Sequence, residues 1–378
     1  MLKIEQEILP LTGLRFVAAF YVFLFHIHIR WPLANDPFLN NILGQGAIGM
    51  SLFFMLSGFV LAYRYADGCS SLKNYLTNRF ARIYPIYVAA ALVTVPWIGI
   101  SFGDGSWADL SRGIGQLGLL ITANILLIQA WFQQFFSLWN NGASWSISVE
   151  AFCYLMLPFF LPQLKQLSAK GLCIAAAVCW FLAVFPGLAV ALFDAPFNAI
   201  FYSMPIFRLP EFLIGVCMLL LIRRGHAYRL GVIVQAALIA ILPIYIGIAG
   251  QWMPLYVGHN WVVLPVIAFA IFSLANSKGA IAALLSSSLF VWLGKISYCF
   301  YSFQALVILF LLYNHAEVVS TMPILANNYI LAIVAFVLLV AISALGYYGI
   351  EEPARRWIRR TYRDDAPRSI EVAQNAVT

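Results

Sequence analysis

Charged residues are scarce in this sequence. Asp, Glu, Lys and Arg make up 10% of the 378 residues, whereas soluble domains carry roughly 25%. Hydrophobic residues make up 63%, and the mean hydropathy is +0.87. A soluble core of this size could not enclose so much apolar surface, but a lipid bilayer can accommodate it. The composition therefore excludes an ordinary soluble enzyme and favours an integral membrane protein.

Cysteine is also sparse, and its spacing excludes the common cysteine-based sites. The six cysteines form no Cys-x-x-Cys pair and no spacing typical of a metal site. We therefore expect free thiols, with neither a disulfide framework nor a bound metal. The net charge of +7 would suit a nucleic-acid partner, but its distribution along the chain indicates membrane topology instead.

Apolar stretches long enough for a transmembrane helix recur along the chain. A spanning helix needs about 20 mostly apolar residues. Ten such stretches lie near 10–30, 46–64, 83–101, 145–163, 171–192, 205–222, 230–249, 260–277, 289–312 and 328–349. The sequence predicts an all-α integral membrane fold of about ten transmembrane helices, surrounded by a lipid bilayer.

Positive charge gives these helices a predicted orientation. Lys and Arg collect in cytoplasmic loops, and ten spans with a cytoplasmic N-terminus place most of the 22 Lys and Arg residues there. The outer loops then hold only Arg30 and Arg112. An eleventh crossing at 113–131 would move most later charges outside, so we interpret this segment as re-entrant or superficial. Both termini are predicted to be cytoplasmic.

Ionisable side chains inside the predicted spans are functional candidates, because charges are costly in a bilayer. His26 is predicted about 6 Å below the outer face in the first span, and Glu150 about 9 Å below it in the fourth. A carboxylate beside an imidazole is the arrangement of a general base. The similar depths suggest that the two form a catalytic pair. The alternative is a hydrogen-bonded interfacial His26.

Arginines toward the cytoplasmic side suggest an anion site. Arg15 precedes His26 by 11 residues, which is about 16 Å along a helix. Arg79 and Arg82 are three residues apart at the predicted inner start of the third span, on one helix face. Guanidinium groups suit bidentate contacts to phosphate, so these residues are candidates for a phosphate-bearing cosubstrate. The alternative is that they only set topology.

Three further charges lie within predicted spans. Arg208 and Glu211 are three residues apart near the outer start of the sixth span, where they could form an intrahelical ion pair or part of a substrate site. We interpret Lys295 as a snorkelling residue near the inner interface.

Several short motifs follow one another in order. They are Arg15-x10-His26, GMSLFFMLSGFVLAY (49–63), Arg79-Phe-Ala-Arg82, Ser146-x3-Glu150, FRLPEFLIGV (207–216), LGKISYCFYSFQ (293–304) and IEEPARRW (350–357). Together they resemble the acyltransferase-3 family of bacterial membrane O-acyltransferases, over residues 10 to 360. We therefore predict one membrane domain over 1–360, followed by a polar cytoplasmic tail over 361–378.

The resemblance implies a reaction and its participants. Family members move an acyl group, commonly acetyl, from cytoplasmic acyl-CoA to a hydroxyl, usually of a cell-envelope or exported saccharide. It implies acyl-CoA as cosubstrate without a metal, a saccharide or glycolipid acceptor, and the bacterial inner membrane as location. Proteins of polysaccharide export are candidate partners.

The resemblance also assigns roles to residues. His26 and Glu150 would be catalytic, while Arg15, Arg79 and Arg82 would lie on the CoA side. The candidates for substrate binding are Ser146, Arg208, Glu211, Tyr301 and Gln304. Whether His26 is a base or is itself acylated stays open.

Two positions depart from the family's pattern. Ser51 stands where the second-span motif often has Asp, and Gln304 where the SY-x-x-Y segment often ends in His. Glutamine donates and accepts hydrogen bonds but cannot titrate. We therefore expect Gln304 to bind the acceptor rather than to move a proton.

Two other functions are compatible with the sequence. An acyltransferase could act on a small cytoplasmic metabolite or antibiotic, and a transporter could use the intramembrane charges along a translocation path. Transporters often carry paired, interrupted repeats, and this sequence has none that we detect. A basic inner mouth with an outer His–Glu site favours acyl transfer.

Overall fold

The computed structural model describes residues 7–68, 71–103, 105–139, 141–193, 199–226, 232–252, 256–276 and 279–362. The predicted tail over 361–378 lies outside these residues from 363 onward. The helices are α1 (Leu9–His28), α2 (Pro37–Gly44), α3 (Gly49–Tyr65), α4 (Leu72–Val93), α5 (Trp107–Ile125), α6 (Asn141–Gln166), α7 (Ala169–Phe193), α8 (Ala199–Ser203), α9 (Pro205–Arg223), α10 (Val232–Ala249), α11 (Asn260–Ala275), α12 (Ala280–Leu285), α13 (Ser288–Thr321), α14 (Asn328–Gly346) and α15 (Glu352–Tyr362). No strand occurs in the described residues.

Eight helical segments of the described chain are long and apolar enough to cross a membrane. They contain α1, α3, α6, α7, α9, α11, α13 and α14. The other two predicted spans correspond to α4, which carries several charges, and to the shorter α10. The predicted all-α membrane fold is confirmed.

Long-range contacts define two ends of the bundle. At one end Arg223 Nη1 lies 2.5 Å from Asp67 Oδ1, and Lys165 Nζ donates to Ala66 O at 2.5 Å. We name this the basic end; α1 begins there, and α3, α6 and α9 finish there. At the opposite end Asn41 Nδ2 donates to a carbonyl at the close of α10. The helices therefore run alternately between the two ends.

The segment between α4 and α6 begins and finishes at the same end of the bundle, the one opposite the basic end. Trp139, just before α6, donates from its indole to Ala91 O near the close of α4, at 2.9 Å. In between, the last turn of α5 reaches back along α4, where the Tyr87 hydroxyl donates to Asn124 Oδ1 at 2.7 Å. This path is the one expected if 113–131 does not cross the membrane.

The third predicted span has the wrong bounds. The sequence predicts it at 83–101, whereas α4 begins at Leu72, and Ser71 Oγ accepts a hydrogen bond from Asn74 N in its first turn. Arg79 and Arg82 therefore lie inside the helix rather than before its start. Charged residues did not end the helix, because both guanidinium groups have partners within the bundle.

Glycines permit two close helix crossings near the cavities. A Cβ on Gly58 of α3 would lie 1.9 Å from Phe212 O of α9, and one on Gly294 of α13 would lie 2.0 Å from Thr12 O of α1. Small residues commonly allow such approaches in membrane bundles. The crossings fix α3 against α9 and α13 against α1.

Candidate active site

Three cavities follow one another through the bundle, and neighbouring cavities share part of their lining. The basic cavity (about 820 Å³) lies at the basic end; the much smaller central cavity (about 40 Å³) shares Arg15 and Arg82 with it. The aromatic cavity (about 420 Å³) lies at the opposite end and shares Met50 and Tyr301 with the central one. Their lining includes Glu7, Arg64, Lys295 and Arg355 in the basic cavity, Glu150 and Tyr154 in the central cavity, and His26, Arg30, Trp139, Trp145, Tyr202, Tyr256 and Gln304 in the aromatic cavity.

The basic cavity collects cations from five helices. Arg15, Arg64, Arg82, Lys295 and Arg355 all line it, and they belong to α1, α3, α4, α13 and α15. Lys295, which the sequence predicts to snorkel near the inner interface, is exposed and lines this cavity. An anion is the ligand that such a surface favours.

Arg82 forms a buried ion pair that sequence reasoning missed. Its guanidinium contacts the carboxylate of Glu351, which is fully buried in the π-helical turn between α14 and α15. Cys299 Sγ also donates to Glu351, at 3.2 Å. The partner was visible in the closing IEEPARRW motif, but nothing in the sequence indicated which arginine it would meet.

Glu150 lies in the central cavity among polar partners. It accepts a hydrogen bond from Ser57 Oγ at 2.8 Å and one from Tyr154. Its charge also acts on Arg15, which lines the same cavity. The carboxylate and the guanidinium therefore partly compensate each other at the middle of the bundle.

His26 and Glu150 do not form the predicted pair. His26 lines the aromatic cavity and Glu150 the central one, and no hydrogen bond or ion pair joins them within the described chain. The predicted depths failed because α6 begins earlier than expected, at Asn141, and α1 ends earlier, at His28. At 1.5 Å per residue, Glu150 lies about 14 Å and His26 about 3 Å from those helix ends.

The His26 ring is available to a ligand, whereas its neighbour His28 is not. His26 is half-buried, and within the described chain neither of its ring nitrogens has a hydrogen-bond partner. His28 is buried, with Nε2 3.0 Å from Asn40 Oδ1 and Nδ1 accepting from Leu33 N at 3.1 Å. Of these two histidines, His26 is therefore the one that can exchange a proton with a molecule in the aromatic cavity.

Ser146, Tyr301 and Gln304 lie near the boundary between the central and aromatic cavities. Ser146 Oγ donates to the Tyr301 hydroxyl at 2.8 Å, which joins α6 to α13. Gln304 lines the aromatic cavity, is 1% exposed, and has no partner for either amide atom within the described residues. A buried amide without partners is costly unless a ligand or water satisfies it.

Arg79 does not line the cavities with Arg82, although the spacing predicted a shared face. Its guanidinium lies 5.6 Å from the ring centroids of both Tyr65 and Tyr154. Arg82 instead lies over Tyr298, at 5.5 Å. The two arginines therefore occupy different surroundings, and only Arg82 reaches the row of cavities.

Arg208 and Glu211 form an intrahelical ion pair. The sequence left this open beside a role in a substrate site. Arg208 Nη1 lies 2.6 Å from Glu211 Oε1, and the side chains are 2% and 0% exposed. Neither lines the three cavities. The guanidinium lies 5.0 Å from the Tyr202 ring and 5.6 Å from that of Trp145, so the pair supports two walls of the aromatic cavity.

Comparisons with known proteins show which family the chain is similar to. The chain matches the family described as acyltransferase domain over residues 9–348. The acyltransferase MdmB of Streptomyces mycarofaciens is 30% identical over 313 residues, covering 79% of this chain and 78% of that protein. "Protein 2 in picA locus" of Rhizobium radiobacter is 32% identical over 38% of this chain and 73% of its own. A Staphylococcus aureus (strain COL) protein with the provisional name O-acetyltransferase is 23% identical over 79% of this chain and 50% of its own. No solved structure matches the chain.

Proposed function

We propose a specific reaction for this chain, which belongs to the acyltransferase-3 family and is therefore a membrane acyltransferase. It moves an acyl group, most simply acetyl, from cytoplasmic acyl-CoA to a hydroxyl of a cell-envelope or exported saccharide or glycolipid. The observation that carries this proposal is the row of three cavities with shared lining. A cationic cavity at one end and an aromatic cavity with a free histidine at the other suit a donor and an acceptor entering from opposite sides.

On the donor side, the basic end faces the cytoplasm. The phosphates of CoA contact the cations of the basic cavity, because Arg and Lys bind phosphate through charge-assisted hydrogen bonds. Arg15 and Arg82, which line both the basic and central cavities, lie along the route of the acyl-bearing arm. Arg79 orients Tyr154 through its ring contact rather than touching the donor.

On the acceptor side, His26 acts as general base. It takes the proton of the acceptor hydroxyl while that oxygen attacks the thioester carbon. The carbon–sulfur bond then breaks, and the imidazolium returns the proton to the departing CoA sulfur. Glu150 acts at a distance from His26, by balancing the charge of Arg15 in the central cavity.

Gln304 and the aromatic walls suit a saccharide acceptor. An amide can donate to one hydroxyl and accept from its neighbour, and the free amide of Gln304 borders the same cavity as His26. Tyr and Trp rings offer large, rigid contact area with a polar edge. Trp145, Tyr202 and Tyr256 provide such rings there.

Mass spectrometry of envelope and secreted glycans tests this function. Cells lacking the gene, cells complemented with the wild-type protein, and cells complemented with Gln304→Leu are compared at equal membrane abundance. The wild type is expected to restore an acyl-bearing glycan, and Gln304→Leu to restore about a tenth of it or less, because a buried hydrogen-bond partner is lost. Unchanged glycans together with an acylated cytoplasmic metabolite would favour the small-molecule alternative.

A further inference from the structure

The cations of the basic cavity differ in whether they already have partners. Arg82 is paired with Glu351, and Arg355 with Glu352. Arg64 and Lys295 line the same cavity and are exposed in it. Within the described chain, neither of these two has an ion pair or a hydrogen bond.

Arg64 and Lys295 are both exposed and come from two different helices, and they mark the open side of the basic cavity, which we call its mouth. Arg64 is in the last turn of α3, and Lys295 is in the second turn of α13. The adjacent Gly294 packs so closely on Thr12 of α1 that a Cβ there would lie 2.0 Å from its carbonyl. The backbone that carries Lys295 is therefore held firmly in place.

Cations outnumber acidic side chains in the lining of the basic cavity, where five cations lie together with Glu7. The charges of Arg64 and Arg355 both act on Arg359 of the same end. Glu7 is the acidic residue that lines the basic cavity, and its carboxylate already accepts from Thr12 Oγ1 at 2.8 Å. Clustered like charges repel one another, and a polyanion that binds between them removes that cost.

We propose that Arg64 and Lys295 are the residues that recognise the phosphates of the nucleotide part of CoA. The inference rests on the proposed function, and it assigns donor selectivity to the cavity mouth. Arg15 and Arg82 lie deeper, where the basic cavity meets the central one, and serve the acyl-bearing arm. Arg64 and Lys295 make the enzyme select acyl-CoA over an acyl donor that lacks the nucleotide.

The volume of the cavity is compatible with this ligand. Ligand pockets commonly have about 300–1,000 Å³, and the basic cavity has about 820 Å³. A cavity of this size can receive a phosphate-bearing ligand against the cations that line it.

Binding measurements on the protein in lipid nanodiscs test the proposal. Calorimetry compares CoA, dephospho-CoA and pantetheine for the wild type, Arg64→Gln and Lys295→Gln. Each variant is expected to bind CoA about tenfold more weakly, because a charge-assisted hydrogen bond to a phosphate is lost. Pantetheine, which carries no phosphate, is expected to bind all three proteins equally.

A matched control removes a cation from the same end but outside the cavity. Lys170 is exposed in the first turn of α7 and does not line the basic cavity, so Lys170→Gln is expected to leave CoA affinity unchanged. CoA affinity within twofold of wild type in both cavity variants would overturn the proposal. An equal loss of CoA and pantetheine binding would indicate a structural role and overturn it too. A wild-type protein that does not bind CoA would overturn the proposed function as well.

Discussion

Replacing His26 with alanine is expected to lower kcat for acyl transfer roughly 10²- to 10⁴-fold, the usual contribution of a general acid–base group. The imidazole lines the aromatic cavity with both ring nitrogens free in the described chain, and no other histidine lines any of the three cavities. The dissociation constant for CoA should not change, because the phosphates bind at the other end of the bundle. Transfer of radiolabelled acetyl to membrane acceptors, measured at equal protein abundance, gives kcat.

His28 provides the matched control for this substitution. It lies two residues further along α1, but Asn40 and Leu33 occupy both of its ring nitrogens. His28→Gln should therefore lower the melting temperature while the folded fraction keeps the wild-type kcat. A wild-type kcat for His26→Ala would remove His26 from the mechanism. A folded but inactive His28→Gln would show that His28, and not His26, is the catalytic histidine.

Replacing Glu351 with alanine is expected to cost about 3–5 kcal/mol of stability, as breaking one partner of a buried ion pair does. Glu351 is completely buried and contacts Arg82, whose side chain is 16% exposed. Its loss leaves the guanidinium without its counter-ion and Cys299 without its acceptor. Denaturant unfolding in detergent measures the change.

The neighbouring Glu352 shows what a more exposed carboxylate contributes by comparison. Its side chain is 20% exposed and pairs with Arg355, which is also 20% exposed, and with Arg356 Nε at 2.7 Å, whose side chain is 67% exposed. Since ion pairs that solvent reaches contribute about 0–1 kcal/mol each, Glu352→Ala should have a smaller effect than Glu351→Ala. Equal losses from the two alanine variants would contradict a special role for the buried pair.

A double substitution separates stability from donor binding at the same pair. Replacing a buried ion pair by apolar side chains of similar volume is often neutral or stabilising, so Arg82→Met with Glu351→Met should recover most of the lost stability. The KM for acyl-CoA should nevertheless stay raised, because Arg82 borders the donor's route. A normal KM in the stable double variant would leave Arg82 with only a structural role.

Features that depend on one helix were predictable from the sequence. Arg15 and His26 are separated by a fixed rise along the uninterrupted α1, so their assignment to different levels needed only their spacing. The apolar runs likewise gave the membrane helices, because lipid imposes their length.

Features that depend on where helices begin, or on distant contacts, were not predictable. The proposed pairing of His26 with Glu150 failed because α6 begins at Asn141, and a shift of a few residues changes depth by about 5 Å. The partner of Arg82 lies 269 residues further along the chain. The position of Lys295 inside a cavity depends on how closely α13 packs on α1. None of these relations leaves a local pattern in the sequence.

Sided membrane vesicles test most directly whether acyl groups pass from the basic end to the opposite end. Inverted vesicles, whose cytoplasmic face is outside, receive radiolabelled acetyl-CoA in the medium, and the product is then treated with an esterase that cannot cross the membrane. We expect labelled glycan or glycolipid that resists the esterase until detergent is added, and no labelling of sealed right-side-out vesicles. A labelled product that the external esterase removes from intact inverted vesicles would mean that donor and acceptor meet on the same side, and would contradict transfer through the bundle.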